Sequence, residues 1–260
     1  MAFMAKEILI LITNDDGIYA PGILHLKHAL KSLGTVIVVA PLVEKSAVGH
    51  AITLSDPLRV MEVERDGTFF GYAVNGTPSD CVKLGSRCIL ERKPDLVVSG
   101  INQGPNTATN IIYSGTVSAA AEGAIMGIPS IAVSIASFTK KEFGFAAKFT
   151  RQLAQLVLQK GLPAGTLLNV NVPAVPENEI KGVVVTRQGK GRYEEAFDKR
   201  IDPNNRVYYW LTGKRMILDH GDDIDDPVVM QNKISITPIH YDLTDYSFLE
   251  ELRTWHLPHP

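Results

Sequence analysis

Two adjacent aspartates, Asp15 and Asp16, are the residues whose types and spacing most clearly suggest chemistry. They follow a nearly continuous apolar run, Glu7 to Thr13, and are followed by Gly17. Two neighbouring carboxylates at the end of a buried strand repel each other unless a positive group lies between them, and a divalent metal ion is one solution. The alternative is an Asx turn with a helix cap, which an isolated Asp-Asp pair forms more often.

Two further polar residues favour the metal site. Ser46 follows a second strand-like run, Thr35 to Ala40, and Asn102 follows a later one, Asp95 to Ser99. Because the loops after parallel strands open on the same edge of a doubly wound sheet, these side chains can meet the two aspartates. Two carboxylates, a hydroxyl and an amide oxygen form a hard set that suits Mg²⁺ or Mn²⁺. We therefore expect these four side chains to bind one divalent metal ion per subunit.

A candidate phosphate site lies at Ser114, Gly115 and Thr116, where an alanine-rich helix that runs to about Met126 begins. The unpaired N–H groups of a helix N-terminus bind phosphate, although a Ser-Gly-Thr sequence by itself more often only caps a helix. A nearby divalent ion can polarise a phosphoryl oxygen and lower the pKa of a water ligand. Together these features predict hydrolysis of a phosphomonoester by an activated water molecule.

The general base that accepts the proton of this water is expected to be Asp15, although the sequence does not separate it from Asp16. The adjacent pair lacks the Asp-x-Asp spacing of phosphatases with an aspartyl nucleophile, and the chain has no P-loop motif. His50 either reaches the substrate or caps a turn, and the turn is favoured. The acidic run from Asp219 to Asp226 lacks the order of a calcium loop and is interpreted as a solvated turn.

The elements that must position these residues follow a strand, loop, helix, strand order. This order predicts an α/β fold, namely a Rossmann-like, doubly wound and mostly parallel sheet that closes with the strand ending at Val172. A β-hairpin at about residues 57–75 interrupts the alternation, and Thr77 and Asp80 predict a capping box on the next helix. We expect residues 1–181 to form the metal- and nucleotide-binding core. Residues 182–260 are expected to form a smaller β-rich extension with a C-terminal helix near Asp245 to Trp255.

Composition excludes several classes of protein. The chain has 260 residues, 45% of them hydrophobic and 21% charged, with a mean hydropathy of +0.05, which is typical of a globular protein and not of a disordered one. A formal charge of −2 gives no reason to expect DNA or membrane binding. Cys81 and Cys88 are too few for a disulfide framework, and Met1 to Lys6 lacks the features of a signal peptide, so we expect a cytoplasmic protein.

Seven short segments occur together in an order that is far more specific than any one of them. They are Thr13–Gly17, Val39–Gly49, Gly76–Val82, Val98–Asn106, Tyr113–Gly123, Asn169–Pro173 and Ser235–Pro238. In this order they resemble the SurE (survival protein E) nucleotidases, a family of metal-dependent phosphatases that act on nucleoside monophosphates. The resemblance covers nearly the whole chain.

The resemblance implies that the substrate is a nucleoside 5′- and possibly 3′-monophosphate. It implies metal ligands at the same four positions that the residues themselves suggest, and a homodimer or homotetramer that exchanges a C-terminal segment. The chain departs from the family after Asn106, where Ala108 and Asn110 stand in place of the common Gly and Asp. A carboxylate at position 110 therefore cannot contribute to the site of this chain, because Asn110 has an amide in its place.

Two functions of other classes remain as alternatives. An NAD-type oxidoreductase is disfavoured because the first strand leads into Asn14, Asp15 and Asp16 and not into a G-x-G-x-x-G turn. A non-catalytic nucleotide-binding or regulatory module would bind a nucleotide and release no phosphate.

Overall fold

The apolar run that ends at Thr13 forms a central strand of a nine-stranded sheet. The computed structural model describes residues 7–140 and 142–258. Met1 to Lys6, the segment interpreted above as lacking a signal peptide, lies outside the described residues. None of the described helices is long and apolar enough to cross a membrane.

Strands and helices alternate through the first two thirds of the chain. The strands are β1 (Leu9–Thr13), β2 (Thr35–Pro41), β3 (Val60–Arg65), β4 (Thr68–Val74), β5 (Leu96–Gln103), β6 (Ser130–Ile135), β7 (Thr166–Val172), β8 (Val183–Val185), β9 (Arg192–Ile201), β10 (Val207–Met216) and β11 (Ile234–His240). The helices are α1 (Pro21–Leu30), α2 (Pro78–Leu84), α3 (Asn110–Tyr113), α4 (Gly115–Ile125), α5 (Gly144–Lys160), α6 (Asp225–Met230) and α7 (Tyr246–Leu252).

The order of the strands confirms the predicted doubly wound α/β fold. The sheet runs β3-β4-β2-β1-β5-β6-β7-β11-β8, and the pairs from β4 to β7 are all parallel. The hairpin β3–β4 extends one edge and is antiparallel. From β1 the chain first builds outward through β2 and then returns to place β5 on the other side of β1. A crevice opens at such a reversal, beyond the carboxyl ends of the two strands.

Both faces of the sheet are covered, and the residues of β1 alternate between them. Ile10 and Ile12 pack in one buried cluster with Leu26 of α1, whereas Leu11 packs in a second cluster with Val82 of α2. All five side chains are fully buried. Burial of one such side chain stabilises the folded protein by about 1.5–3 kcal/mol. The apolar run that predicts β1 therefore also fixes the strand whose end borders the crevice.

The sheet does not close at Val172, and that expectation is wrong. β11 pairs with β7 in antiparallel fashion, and β8 pairs with β11 in parallel. β11 has buried Ser235 and Thr237 between its isoleucines, and both hydroxyls lie 2.7 Å from the hydroxyl of Thr186. Buried polar groups of a strand are tolerated when they are hydrogen-bonded in this way. The division into residues 1–181 and 182–260 stays a prediction, although strands from both sides of it share the sheet.

Only short β-like runs were expected after residue 182, but two of the strands there are long. β9 and β10 form a separate two-stranded hairpin with ten paired residues on each strand. Several large apolar side chains on it are exposed, among them Phe197, Trp210 and Leu211. The C-terminal helix is confirmed, with Asp245 as its N-cap.

The acidic run near residue 225 is only partly solvated, so its interpretation as a solvated turn is wrong. Asp225 is fully buried at the start of α6, and its carboxylate accepts backbone hydrogen bonds from Ala108, Gly189 and Asp226 at 2.8–2.9 Å. Burial raises the pKa of Asp225, while these bonds oppose the rise. A carboxylate with three N–H donors can remain buried, and this one ties α6 to the loop after β5.

The capping box at the start of α2 is confirmed. The Thr77 side chain accepts from the Asp80 backbone N–H, and the Asp80 carboxylate accepts from the Thr77 N–H at 2.9 Å. The same carboxylate accepts from the hydroxyl of Thr53 at 2.6 Å and so holds the loop after β2. Burial alone would raise the pKa of Asp80, but the bonds from Thr53 and Thr77 hold it below 3.8.

Replacing Asp80 by Asn is expected to lower the free energy of unfolding by about 1–3 kcal/mol at pH 7, because charged hydrogen bonds are lost. Since the folded pKa is depressed, this stabilisation is present above the unfolded pKa and is lost as the pH falls through the folded value. Urea unfolding of wild type and D80N at pH 7 and at lower pH measures the difference, which should shrink on acidification. D56N, at an exposed position, is the matched control; an equal loss in both variants at pH 7 would contradict the prediction.

Candidate active site

Asp15 lies where β1 ends and is 4% exposed. Its backbone oxygen accepts from the N–H of Lys45 at 2.7 Å, which holds the loop after β2 against the strand end. Its carboxylate accepts from the hydroxyl of Thr116, in the first turn of α4. Gly115 packs so closely that an added Cβ would lie 2.8 Å from the Cβ of Asp15. The predicted phosphate segment and the first aspartate are therefore in direct contact.

Asp16 is the more exposed of the pair and faces β5. Its Oδ2 lies 3.4 Å from the backbone nitrogen of Gln103, which donates to it. Burial, and after it repulsion from Asp15, raises the pKa of Asp16 to about 7. Burial likewise raises the pKa of Asp15 above 3.8, although hydrogen bonds from Thr116 oppose the rise. Glu44 adds a further repulsion to both carboxyls.

The residues of this edge fit a divalent cation. Among the residues that the structure describes, neither Asp15 nor Asp16 forms an ion pair with a basic side chain. Two desolvated, mutually repelling carboxylates without such a partner are stabilised by a positive ion that binds both. No three His, Cys, Asp or Glu side chains converge as metal ligands in the described part of the chain; the predicted set contains two such side chains and two neutral oxygens.

Of the two predicted neutral ligands, Ser46 lies on the loop after β2. Asn102 lies inside β5, which runs on to Gln103 and does not end at Ser99 as expected. The Ser46 hydroxyl donates to Oε1 of Glu44 at 2.6 Å, which leaves the lone pairs of its oxygen available. The Asn102 side-chain nitrogen donates to the backbone oxygen of Gly104 at 2.7 Å. With the nitrogen used in this way, the amide oxygen is the atom of Asn102 that remains to accept a cation.

The segment from Ser114 to Thr116 forms the N-terminus of α4, as predicted. Ser114 is the N-cap, and its side chain accepts from the N–H of Val117 at 3.1 Å. The positive end of the helix dipole therefore faces the Asp15 carboxylate. The Thr116 hydroxyl already donates to Asp15, whereas the Ser114 hydroxyl only accepts, so the Ser114 O–H and the N–H groups of the first turn remain as donors for a phosphate.

Glu44 and Gln103 border the site, and sequence reasoning missed both. Glu44 bonds Ser46 and raises the pKa of both aspartates, and the backbone of Gln103 donates to Asp16. The one signal for Glu44 is its place close to Ser46. Gln103 carries no signal, because its contribution comes from its backbone.

The departure at residue 108 has a visible structural consequence. Ala108 has a φ of +52°, in the left-handed region where glycine is favoured and where an alanine is strained. Its backbone N–H donates to Asp225, and its backbone oxygen accepts from Gln188 at 2.9 Å, which together hold this conformation. Asn110, the second departure, is the first residue of the short helix α3.

Comparison with known proteins gives matches along nearly the whole chain. A family model described as "Survival protein SurE" matches residues 10–195. A "5′-nucleotidase SurE" of Moorella thermoacetica is 52% identical over 95% of this chain and 96% of its own length. One of the same name from Syntrophobacter fumaroxidans is 52% identical over 95% of this chain and 99% of its own length.

A solved structure is also similar. The crystal structure of the SurE protein from Aquifex aeolicus superimposes with a TM-score of 0.83 at 46% identity, and the match covers 94% of this chain and 98% of that one.

Proposed function

This chain belongs to the SurE family, and we propose that it hydrolyses nucleoside monophosphates at the Asp15–Asp16 edge with one bound Mg²⁺ or Mn²⁺ ion. The chain is a 5′-nucleotidase, a hydrolase that releases phosphate from a nucleoside monophosphate. The observation that carries the proposed site is the contact between the first turn of α4 and the Asp15 carboxylate, beside Asp16. It supports the proposal because helix N-termini commonly bind phosphate, and the two carboxylates beside this one have no basic ion-pair partner within residues 7–140 and 142–258.

Asp15, Asp16, Ser46 and Asn102 would hold the metal ion. When bound, such an ion supplies Lewis acidity, which polarises the phosphoryl oxygens and makes a water ligand more acidic. The protein would contribute four oxygen donors, two just after β1, one on the loop after β2 and one near the end of β5, and backbone hydrogen bonds from Lys45 and Gln103 connect these elements. A site of this kind holds its ligands in place before the substrate arrives, which lowers the cost of organising the transition state.

The N-terminus of α4 would bind the phosphate through Ser114, Gly115 and Thr116. The helix dipole and the N–H groups of its first turn favour a negatively charged group at this point. Gly115 matters because the absence of a Cβ lets α4 come within contact distance of Asp15. The phosphate and this carboxylate would then share one small region of the crevice.

Asp15 would act as the general base. Its carboxylate touches Thr116, so it is the aspartate that lies at the phosphate segment, whereas Asp16 faces Gln103 on β5. A base has to lie within hydrogen-bond reach of the proton that it removes, and the attacking water must approach the phosphorus. The water proton would pass to Asp15 and from there to the solvent, and the leaving alkoxide would take a proton from a solvent water, so that water and monophosphate give nucleoside and phosphate.

A homodimer or homotetramer with an exchanged C-terminal segment is also proposed. Its support is the hairpin β9–β10, whose apolar side chains are exposed in the single chain. Contiguous exposed apolar surface commonly marks an interface.

We further propose that the enzyme is cytoplasmic, since Cys81 and Cys88 are both free. Hydrolysis of 3′-monophosphates is proposed as a second activity of the same site.

Phosphate release from a panel of nucleoside 5′- and 3′-monophosphates with Mn²⁺ tests this function. We expect turnover of at least one 5′-monophosphate, with the nucleoside as the other product. The rival, a non-catalytic binding module, predicts that calorimetry detects nucleotide binding while no phosphate appears. That result would overturn the proposed function.

A further inference from the structure

Glu122 is a buried carboxylate that the proposed mechanism does not use. It lies on α4, and its side chain is 3% exposed. Oε2 lies 2.9 Å from Nε2 of His50, and Oε1 lies 2.5 Å from Nζ of Lys83. Burial alone would raise the pKa of Glu122, but these two partners hold it below 4.5. Glu122 is thus ionised at neutral pH, and a carboxylate only accepts hydrogen bonds, so His50 carries its hydrogen on Nε2.

His50 belongs to the same loop as the proposed metal ligand Ser46. The interpretation of His50 as a turn cap is wrong, because its ring reaches a helix far along the chain. Two backbone contacts hold this loop on either side of Ser46. The Lys45 N–H donates to the Asp15 backbone oxygen at 2.7 Å, and the Gly49 N–H donates to the backbone oxygen of Tyr113 at 3.0 Å.

We propose that Glu122 acts through His50 as a positioning residue, which fixes the loop that carries Ser46 relative to the helix that carries the phosphate segment. The inference rests on the proposed function. Thr116 and Glu122 belong to one helix and are six residues apart, which corresponds to about 9 Å of rigid rise. The bond from His50 therefore ties the metal loop to α4 at a point remote from the reacting atoms. Partners that orient metal ligands in this way commonly change metal affinity by about 10–100-fold when removed.

Lys83 provides an internal comparison, because it pairs with the same carboxylate from a different element. Lys83 lies on α2, outside the loop that carries Ser46. A purely structural role of Glu122 predicts that loss of either partner has the same consequence, namely a less stable protein. A positioning role predicts that only loss of His50 changes the metal site.

The test is the affinity for Mn²⁺, measured by isothermal titration calorimetry on protein freed of metal, together with kcat and KM for adenosine 5′-monophosphate. We expect H50A to weaken Mn²⁺ binding about 10-fold. H50Q, whose amide nitrogen can replace Nε2 as the donor to Glu122, should restore Mn²⁺ affinity to within about twofold of wild type. K83A should lower the melting temperature and leave Mn²⁺ affinity unchanged. Circular dichroism verifies that each variant is folded.

Equal effects of H50A and K83A on Mn²⁺ affinity, or no effect of H50A, would overturn the positioning role while leaving the proposed function intact. Failure of H50Q to restore affinity would overturn it as well, since the hydrogen bond to Glu122 would then not be the cause. Absence of Mn²⁺ binding by the wild type would instead overturn the proposed metal site, and the positioning role with it. One set of titrations distinguishes these four results.

Discussion

D16N is expected to lower kcat/KM by about 10³-fold or more, because an aspartate ligand that neutralises the cation is replaced by a neutral amide. D15N is expected to lower kcat by about 10²–10⁴-fold, the usual contribution of a general base. The two variants should differ in Mn²⁺ binding. Asp16 is the more exposed carboxylate and faces β5, so D16N should weaken binding more, whereas D15N should bind the ion and turn over slowly.

Phosphate release under single-turnover conditions and calorimetry with Mn²⁺ make this comparison. D66N, an exposed Asp-to-Asn change in the β3–β4 turn, is the matched control and should leave both quantities unchanged. Full activity of D15N with metal bound would show that Asp15 is not the base. The reverse pattern, with D16N binding the ion normally and turning over slowly, would transfer the role of base to Asp16.

G115A is the second variant with a large expected effect, about 10²-fold in kcat. An added Cβ would lie 2.8 Å from the Cβ and 3.0 Å from Oδ2 of Asp15, which is closer than nonbonded carbon and oxygen atoms approach. Either Asp15 or the N-terminus of α4 must move. Displacement of a reacting group by about 1 Å can cost this much in rate. Alanine otherwise suits a helix better than glycine, so any loss has to arise from the contact and not from helix propensity.

Steady-state kinetics and thermal unfolding of G115A separate the site from the scaffold. G144A is the matched control, because Gly144 also begins a helix and an added Cβ there meets nothing within 4 Å. We expect near-normal kcat for G144A and a large loss for G115A. Wild-type kcat in G115A would mean that the contact with Asp15 has no part in catalysis.

Short sequence patterns predicted the central part of the fold because they reflect interactions between residues that are close together in the sequence. The strand that ends at Thr13 is an unbroken apolar run, which a strand buried on both faces requires. Thr77 and Asp80 lie three residues apart and satisfy each other's backbone donors within one turn of helix. The positions of Asp15 and Asp16 at the carboxyl end of β1 followed from the same argument, because a doubly wound sheet opens its crevice there.

Features that depend on distant partners were missed. Ser235 and Thr237 are buried in β11 because the hydroxyl of Thr186 bonds both of them. Asp225 is buried because backbone donors from Ala108 and Gly189 converge on it. In each case the partner lies tens of residues away in the sequence, and no spacing rule connects the two. The pairing of His50 with Glu122 is hidden in the same way.

The same distinction between local patterns and distant partners applies to the residues of the candidate site. Its acidic and hydroxyl residues could be identified by type, since hard oxygen ligands and a helix N-terminus are visible in sequence. The repulsion from Glu44 and the donation from the Gln103 backbone depend on how the loop after β2 and the end of β5 approach the residues after β1. Burial and then repulsion from Asp15 raise the pKa of Asp16 to about 7; Glu44 adds to the rise, and the Gln103 hydrogen bond opposes it.

The most direct test of the central claim is phosphate release from adenosine 5′-monophosphate by the full chain after treatment with EDTA and removal of the chelator. The account predicts that the treated protein remains folded, releases no phosphate, and recovers activity when Mn²⁺ or Mg²⁺ is added. Undiminished phosphate release by the metal-free protein would contradict it, because Asp15 and Asp16 would then perform the hydrolysis without the ion that their chemistry favours.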